Sequence, residues 1–175
     1  MAYRNKTFIS FASEDIKSYR LMQAWKENEN IDFNFFDAHD LNTALDTSTP
    51  ETIKRRLRER LANAKQVILL VGDETKKKAA KSTSFISYEV DVISGLDIPV
   101  IIVNLNQSRV SENNRIPTKL TGDIYTISTS FQPKIIKYAL DNFPEQYEKN
   151  KKDSSEKRKK GPYYYKDFVY ENLGL

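Results

Sequence analysis

Glu89 is the residue of this chain best suited to acid–base or electrostatic chemistry. It lies in residues 85–94, where apolar side chains recur at the roughly 100° per residue of a helix. Glu89 falls near the middle of the broad apolar face, and Ser87 and Asp91 fall on the opposite face. A carboxylate there loses water, which disfavours its charged form. Such a group is retained only if it is paired, hydrogen-bonded or used, so a structural pair and a catalytic or ligand-binding role both stay open.

Other side chains are expected near Glu89 because they follow predicted strands. In open α/β sheets, ligands bind at the carboxyl ends of the strands, near the point where the strand order reverses. The loop at residues 72–75 follows a strand and leads into the Glu89 helix. The candidates at the ends of the first two strands are Ser10, Phe11, Ala12, Phe36, Asp37 and His39.

Most of these polar positions also have an ordinary structural interpretation. Ser10 alternates within a strand, where a small side chain serves packing equally well. His39 is the only histidine, in a polar loop where it is either solvated or, flanked by Asp37 and Asp40, part of the cleft. The lysines at residues 76–78 form a solvated loop or attract phosphates, and the arginines between residues 55 and 60 indicate a solvated helix face.

The elements that position these residues alternate between strands and helices. Continuous apolar runs at residues 67–71 and 99–103 indicate strands buried on both faces, as in parallel sheets. Further strands are predicted at residues 7–11, 31–36 and 124–127, with helices starting at Ser13, Thr49 and Pro133. This alternation predicts an α/β fold: a doubly wound, mainly parallel, five-stranded flavodoxin-like sheet with helices on both faces and strand order 2-1-3-4-5.

Length and composition limit the class of protein. The chain has 175 residues, of which 39% are hydrophobic and 30% charged. This predicts one domain with a real core plus an extension. There is no cysteine, no apolar run of membrane-span length and no export signal, so we expect a cytoplasmic protein without membrane association. The net charge is +4, with the basic excess confined to residues 149–160 and no nucleic-acid-binding motif, so no nucleic-acid partner is expected.

The composition changes after residue 147. We predict a domain over residues 1–147, followed by a basic linker and aromatic C-terminal tail over residues 148–175. Residues 162–175 carry several tyrosines, Phe168, Val169 and Leu173. So many apolar side chains either dock back on the domain or contact a partner protomer.

Several familiar chemistries lack their motifs. No glycine-rich dinucleotide fingerprint or P-loop follows a predicted strand. One histidine and no cysteine argue against a structural zinc site, and no metal site is expected. A phospho-accepting receiver domain shares the sheet order, but no lysine closes the last predicted strand.

Two segments resemble a known family. Residues 8–15 resemble the first conserved box of TIR domains, in which a strand ends in Ile-Ser-Tyr/Phe before Ser-x-Asp. Residues 83–90 resemble the TIR stretch Ser-x-Trp-Cys-x-x-Glu-Leu, with Glu89 on its glutamate and Phe85 in the tryptophan slot. The ending Tyr-Glu-hydrophobic is similar to the TIR-like proteins of the bacterial Thoeris antiphage system, the ThsB group. The resemblance covers residues 5–143, although residues 41–45 replace the proline-glycine centre of many TIR loops.

The resemblance implies an enzyme that cleaves NAD+ at the nicotinamide–ribose bond, with Glu89 catalytic. It also implies a cyclic or conjugated ADP-ribose signal that activates a separate antiphage effector. NAD+ would be the substrate and no cofactor is needed; self-association through TIR–TIR contacts and a phage-derived trigger are expected. The alternative is a non-catalytic adaptor or a nucleotide-sensing module. The expected substrate-binding residues are Ser10, Phe11, Ala12, Phe36, Asp37, His39 and Phe85.

Overall fold

The protein forms an all-parallel, five-stranded sheet between layers of helices. The computed structural model describes residues 6–35 and 49–175. Neighbouring strands follow one another in the order β1-β2-β3-β4-β5, and every pair is parallel. The predicted doubly wound α/β class is thus confirmed. The strands are β1 Thr7–Ser10, β2 Gln66–Val71, β3 Val100–Asn104, β4 Thr126–Ser130 and β5 Pro162–Tyr164.

The helices cover both faces of this sheet. Strand side chains alternate between the faces, so Ile9 enters the core cluster that contains α1 and α5, and Phe8 enters the one that contains α2 and α4. The carboxyl ends of the central strands are aligned, because Asn104 pairs with Val71 on one side and Ser130 on the other. The helices are α1 Ile16–Glu27, α2 Pro50–Leu61, α3 Thr75–Ala79, α4 Phe85–Gly95, α5 Pro133–Lys152 and α6 Asp167–Asn172.

The strand predicted at residues 31–36 is wrong over its described part. Residues 31–35 form no strand, and residue 36 lies outside the described residues. Phe33 and Phe35 are nevertheless 3% and 1% exposed, packed edge-on against each other in the core. Their alternation reflects burial of alternate side chains in a segment that forms no strand, and an alternating pattern alone does not distinguish such a segment from a strand. The predicted strand order 2-1-3-4-5 is therefore confirmed only for the strands that the prediction numbered 1, 3, 4 and 5.

The fifth strand of the observed sheet comes from the C-terminal segment. The strand predicted at residues 124–127 forms as β4, shifted towards Ser130, and it is not an edge because β5 pairs with it. After β5, Tyr165 is 8% exposed and Tyr170 of α6 is fully buried. Of the two alternatives for the aromatic tail, docking on the domain is therefore what the structure shows for these residues.

The described residues contain no helix that is both long and apolar enough to cross a lipid bilayer.

Candidate functional site

The helix that carries Glu89 is fixed at its N-terminus by a side-chain cap. The Ser84 hydroxyl accepts a hydrogen bond from the Ser87 backbone N–H at 3.2 Å and donates one to the Lys78 carbonyl at 2.5 Å. Serine is favoured at this position because its oxygen satisfies an amide that the helix leaves unpaired. The cap sets the start of α4 at Phe85, and the helix ends at Gly95. Glu89 then lies one turn into the helix and faces the sheet.

Ser10 and Glu89, separated by 79 positions in sequence, meet in the interior. The Ser10 hydroxyl donates a hydrogen bond to Glu89 Oε2 at 2.5 Å. Ser10 is the last residue of β1 and is fully buried, while the glutamate is 7% exposed. Because strand side chains alternate, Ser10 shares the sheet face of Phe8, which packs in the same layer as α4. The structure thus brings together two of the predicted site residues.

The surroundings of Glu89 shift its titration towards neutrality. Burial raises the pKa of Glu89 from the ordinary 4.5 to about 7, although the hydrogen bond from Ser10 and the positive charge of Arg60 both lower it. Loss of hydration disfavours the carboxylate more than these two groups favour it. Near pH 7, the protein therefore holds a mixture of protonated and ionised Glu89.

This shift predicts a pH-dependent difference in stability between the wild type and Glu89→Gln. Between pH 4.5 and about 7 the folded state keeps a proton that the unfolded state has lost. The stabilising contribution is thus complete below 4.5 and is lost as the pH rises through 7, a change of about 3 kcal/mol. Glutamine does not ionise, so the stability of Glu89→Gln relative to the wild type should rise by that amount between pH 4.5 and about 7 and stay constant at higher pH.

Urea unfolding at several pH values measures the difference directly. Glu29→Gln, a change at an exposed glutamate, is the matched control and should track the wild type throughout. A stability difference between Glu89→Gln and wild type that stays constant from acid to alkaline pH would contradict the raised pKa.

The Phe11 ring does not lie with the Glu89 carboxylate. Phe11 is 9% exposed, and its ring stacks on Tyr19 with centroids 4.7 Å apart, in the cluster on the other sheet face. Ala12 is buried, and its carbonyl accepts the backbone N–H of Asp15 at 2.8 Å. Both residues shape the end of β1, and the Phe11 ring already has an aromatic partner.

Among the predicted site residues that the structure describes, Phe85 has the most accessible ring. It is 41% exposed at the first position of α4 and packs edge-on against Tyr88, with centroids 6.2 Å apart. Phe85 was predicted to belong to the apolar face of this helix, but its exposure shows that it is not part of the buried face. Conversely, Ser87, expected on the polar face, is 7% exposed. The predicted contacts of Phe36, Asp37 and His39 lie outside the described residues.

The loop after β2 is locked to the loop after β1 by a contact that sequence reasoning missed. The Thr75 hydroxyl accepts from the Gly72 backbone N–H at 2.9 Å and donates to Asp15 Oδ2 at 3.4 Å. A Cβ on Gly72 would come within 2.4 Å of Asp15 Oδ1, so this approach needs glycine. Burial raises the pKa of Asp15, and the bond from Thr75 opposes it. A glycine directly after an apolar strand was the available signal.

Arg60 is less exposed than its sequence pattern predicted. It was grouped with the solvated arginines of α2, yet it is half-buried and its charge acts on Glu89. Its position follows from α2 and α4 packing on the same face of the sheet. Among the residues the structure describes, no cluster of three or more histidine, cysteine or acidic side chains is arranged to hold a metal ion.

A family model matches this chain. The model is described as "Thoeris protein ThsB, TIR-like domain", and the match spans residues 8–110, more than half of the chain. The matched segment begins in β1 and ends in the loop after β3, so it contains Ser10, Phe85 and Glu89. The match and the Ser10–Glu89 contact therefore concern the same part of the molecule.

Proposed function

Because the chain belongs to the TIR-like domain family of the Thoeris protein ThsB, we propose that it cleaves NAD+ as part of an antiphage response. The reaction breaks the nicotinamide–ribose bond, releases nicotinamide and leaves a cyclic or conjugated ADP-ribose product. That product is the signal that activates a separate effector protein. NAD+ is the substrate of this reaction and not a resident cofactor.

The observation that supports this proposal is the buried carboxylate of Glu89, hydrogen-bonded to Ser10 at 2.5 Å. Breaking the glycosidic bond develops positive charge on the ribose. A fixed carboxylate stabilises such charge best where water is scarce, because its interaction is then least screened. The position of Glu89 on α4 and the hydrogen bond from Ser10, at the end of β1, hold its carboxylate fixed in the interior.

The protonation state of Glu89 connects the site to pH. Only the ionised form stabilises a developing cation, and with a pKa of about 7 this form increases as the pH rises through neutrality. The rate of nicotinamide release should therefore rise over the same range. The Ser10 hydrogen bond favours the ionised form and so contributes to activity near pH 7.

The aromatic ring of Phe85, on the same helix as Glu89, is exposed and so available to a substrate. An aromatic ring stacks favourably on nicotinamide or adenine. Ser10 would act mainly through Glu89, because its hydroxyl is fully buried. A water-poor site would also favour capture of the ribose by a group of the nucleotide over hydrolysis.

The alternative function is a non-catalytic adaptor or nucleotide-sensing module. One observation favours it: the Ser10 hydroxyl already donates a hydrogen bond to Glu89 Oε2, and the glutamate is only 7% exposed. A buried glutamate of this kind also fits a purely structural role. The two functions differ in whether NAD+ is consumed.

The direct test is to incubate the purified protein with NAD+ in lysate from phage-infected cells. Nicotinamide and nucleotide products are then followed by mass spectrometry. Release of nicotinamide together with an ADP-ribose-derived product supports the enzyme. Unchanged NAD+, in lysate where a known TIR enzyme is active, would rule out the proposed reaction and favour the adaptor.

Ser10→Ala should move the pH profile of nicotinamide release to higher pH. Without the Ser10 hydroxyl, the pKa of Glu89 rises further, since a bond that favours the ionised form is lost. Turnover at pH 7 should fall about tenfold and recover in part at higher pH. Ser13→Ala, at an exposed serine just after β1, is the matched control. An equal loss at every pH would show that Ser10 does not act through this titration.

A further inference from the structure

A concave site lies on the side of α4 that faces away from Glu89. It is a cavity of about 310 Å³, close to the lower end of the roughly 300–1,000 Å³ range of small-molecule sites. It opens where α2, α3, α4 and the 3-10 turn Thr118–Leu120 meet. Its floor includes Ser87, Val90 and Asp91, and three lysines line it: Lys54, Lys76 and Lys119.

The three lysines of this cavity carry more positive charge than its one carboxylate, Asp91, neutralises. Lys54 contacts Asp91 at 2.8 Å, and Lys119 pairs with the other oxygen of the same carboxylate. Burial alone would raise the pKa of Asp91, but hydrogen bonds from Lys119 and Lys54 hold it below its ordinary value. Asp91 is thus ionised at neutral pH, and three ammonium groups against one carboxylate leave two positive charges.

The cavity also retains hydrogen-bond donors. Lys76 donates to the Asn113 carbonyl at 2.7 Å. An ammonium carries three N–H donors, so this contact leaves Lys76 donors for an incoming anion. Ser82 and Thr118 add hydroxyl groups to the lining. Several donors around two net positive charges are the chemistry that binds a phosphate group.

We propose that this cavity binds the phosphate of a small phosphorylated molecule, of mononucleotide size or less. The lysines come from three separate elements, which hold them around one space and not along one exposed helix face. Asp91 keeps two of them in place, so little ordering is needed when an anion enters. The site does not depend on NAD+ cleavage, because Ser87 and Asp91 lie on the opposite side of α4 from Glu89.

Calorimetric titration of the full chain with pyrophosphate is the test. Inorganic phosphate, AMP and uncharged adenosine serve as further probes. Saturable binding of pyrophosphate that weakens as salt is added is expected, with no comparable binding of adenosine. AMP binding more tightly than inorganic phosphate would identify a nucleotide as the ligand, and the reverse would identify a simple phosphate.

Matched lysine variants locate the site. Lys119→Ala and Lys76→Ala should each weaken pyrophosphate binding about tenfold or more, because each removes a charged donor. Lys77→Ala is the control of equal charge: this side chain is 69% exposed, pairs with Glu74 and does not line the cavity.

Two results would overturn the proposal. One is the absence of saturable binding for every phosphate probe; the other is an equal loss of affinity in Lys77→Ala and Lys119→Ala. Glu89→Gln should leave pyrophosphate binding unchanged. Pyrophosphate binding and NAD+ cleavage can therefore fail independently of each other.

Discussion

Glu89→Gln is expected to abolish nicotinamide release while the protein stays folded. Glutamine keeps the size of the side chain and can still accept the Ser10 hydrogen bond, but it has no negative charge to stabilise the developing ribose cation. Loss of such a preorganised electrostatic contact should lower turnover by about a hundredfold or more. The measurement is NAD+ consumption and product formation by mass spectrometry, in lysate that activates the wild type.

The same variant separates the two candidate functions. A folded Glu89→Gln without activity would assign the carboxylate to the reaction. Activity equal to that of the wild type would remove Glu89 from the mechanism, whatever the status of the enzyme. Glu29→Gln, at an exposed position, controls for the loss of one negative charge. Since glutamine also relieves the cost of burying a charge, loss of activity through unfolding is not expected above neutral pH.

Tyr170→Ala is expected to cause the largest loss of stability. Tyr170 has no exposed surface, and its hydroxyl accepts the backbone N–H of Ser130 at 3.1 Å. Truncating a fully buried aromatic leaves a cavity and should lower the free energy of unfolding by about 3–5 kcal/mol. Tyr170→Phe keeps the packing but leaves that N–H without its partner, at a cost of about 1–3 kcal/mol. Chemical denaturation measures both.

The control for this prediction lies in the same tail. Tyr164 is 43% exposed, so Tyr164→Ala should change the free energy of unfolding by no more than about 0.5 kcal/mol. A Tyr170→Ala variant as stable as Tyr164→Ala would mean that the tail is not part of the core. Point variants suit this question better than deletion of residues 148–175, which would also remove β5 and uncover the edge of β4.

The regular elements were predicted well where one local signal was sufficient. The runs at residues 67–71 and 99–103 became β2 and β3 because strands buried on both faces need apolar side chains throughout. The start of α2 was clear from Thr49 and Pro50: the Thr49 hydroxyl accepts the Thr52 N–H at 3.3 Å. Caps and buried runs depend on neighbours in sequence, so the sequence contains the necessary information.

Two errors concern segments in which the side chains alternate in direction. Residues 31–35 alternate like a strand, but their apolar side chains enter the core without strand pairing. Phe11 was expected beside Glu89, although alternation along β1 puts it on the sheet face opposite Ser10. The second error was avoidable, because the period of two was already visible in the sequence.

The sequence by itself determined that Glu89 is buried, since the apolar face of α4 surrounds it, and that the fold is a parallel α/β sheet. Only the tertiary structure decided what the carboxylate meets. Ser10, Arg60 and Glu89 come from three distant segments, and their approach depends on sheet register and on the packing of α2 and α4. Pairing of β5 with β4 is likewise a long-range contact. Local preference selects an element, whereas burial and pairing between distant segments select its partner.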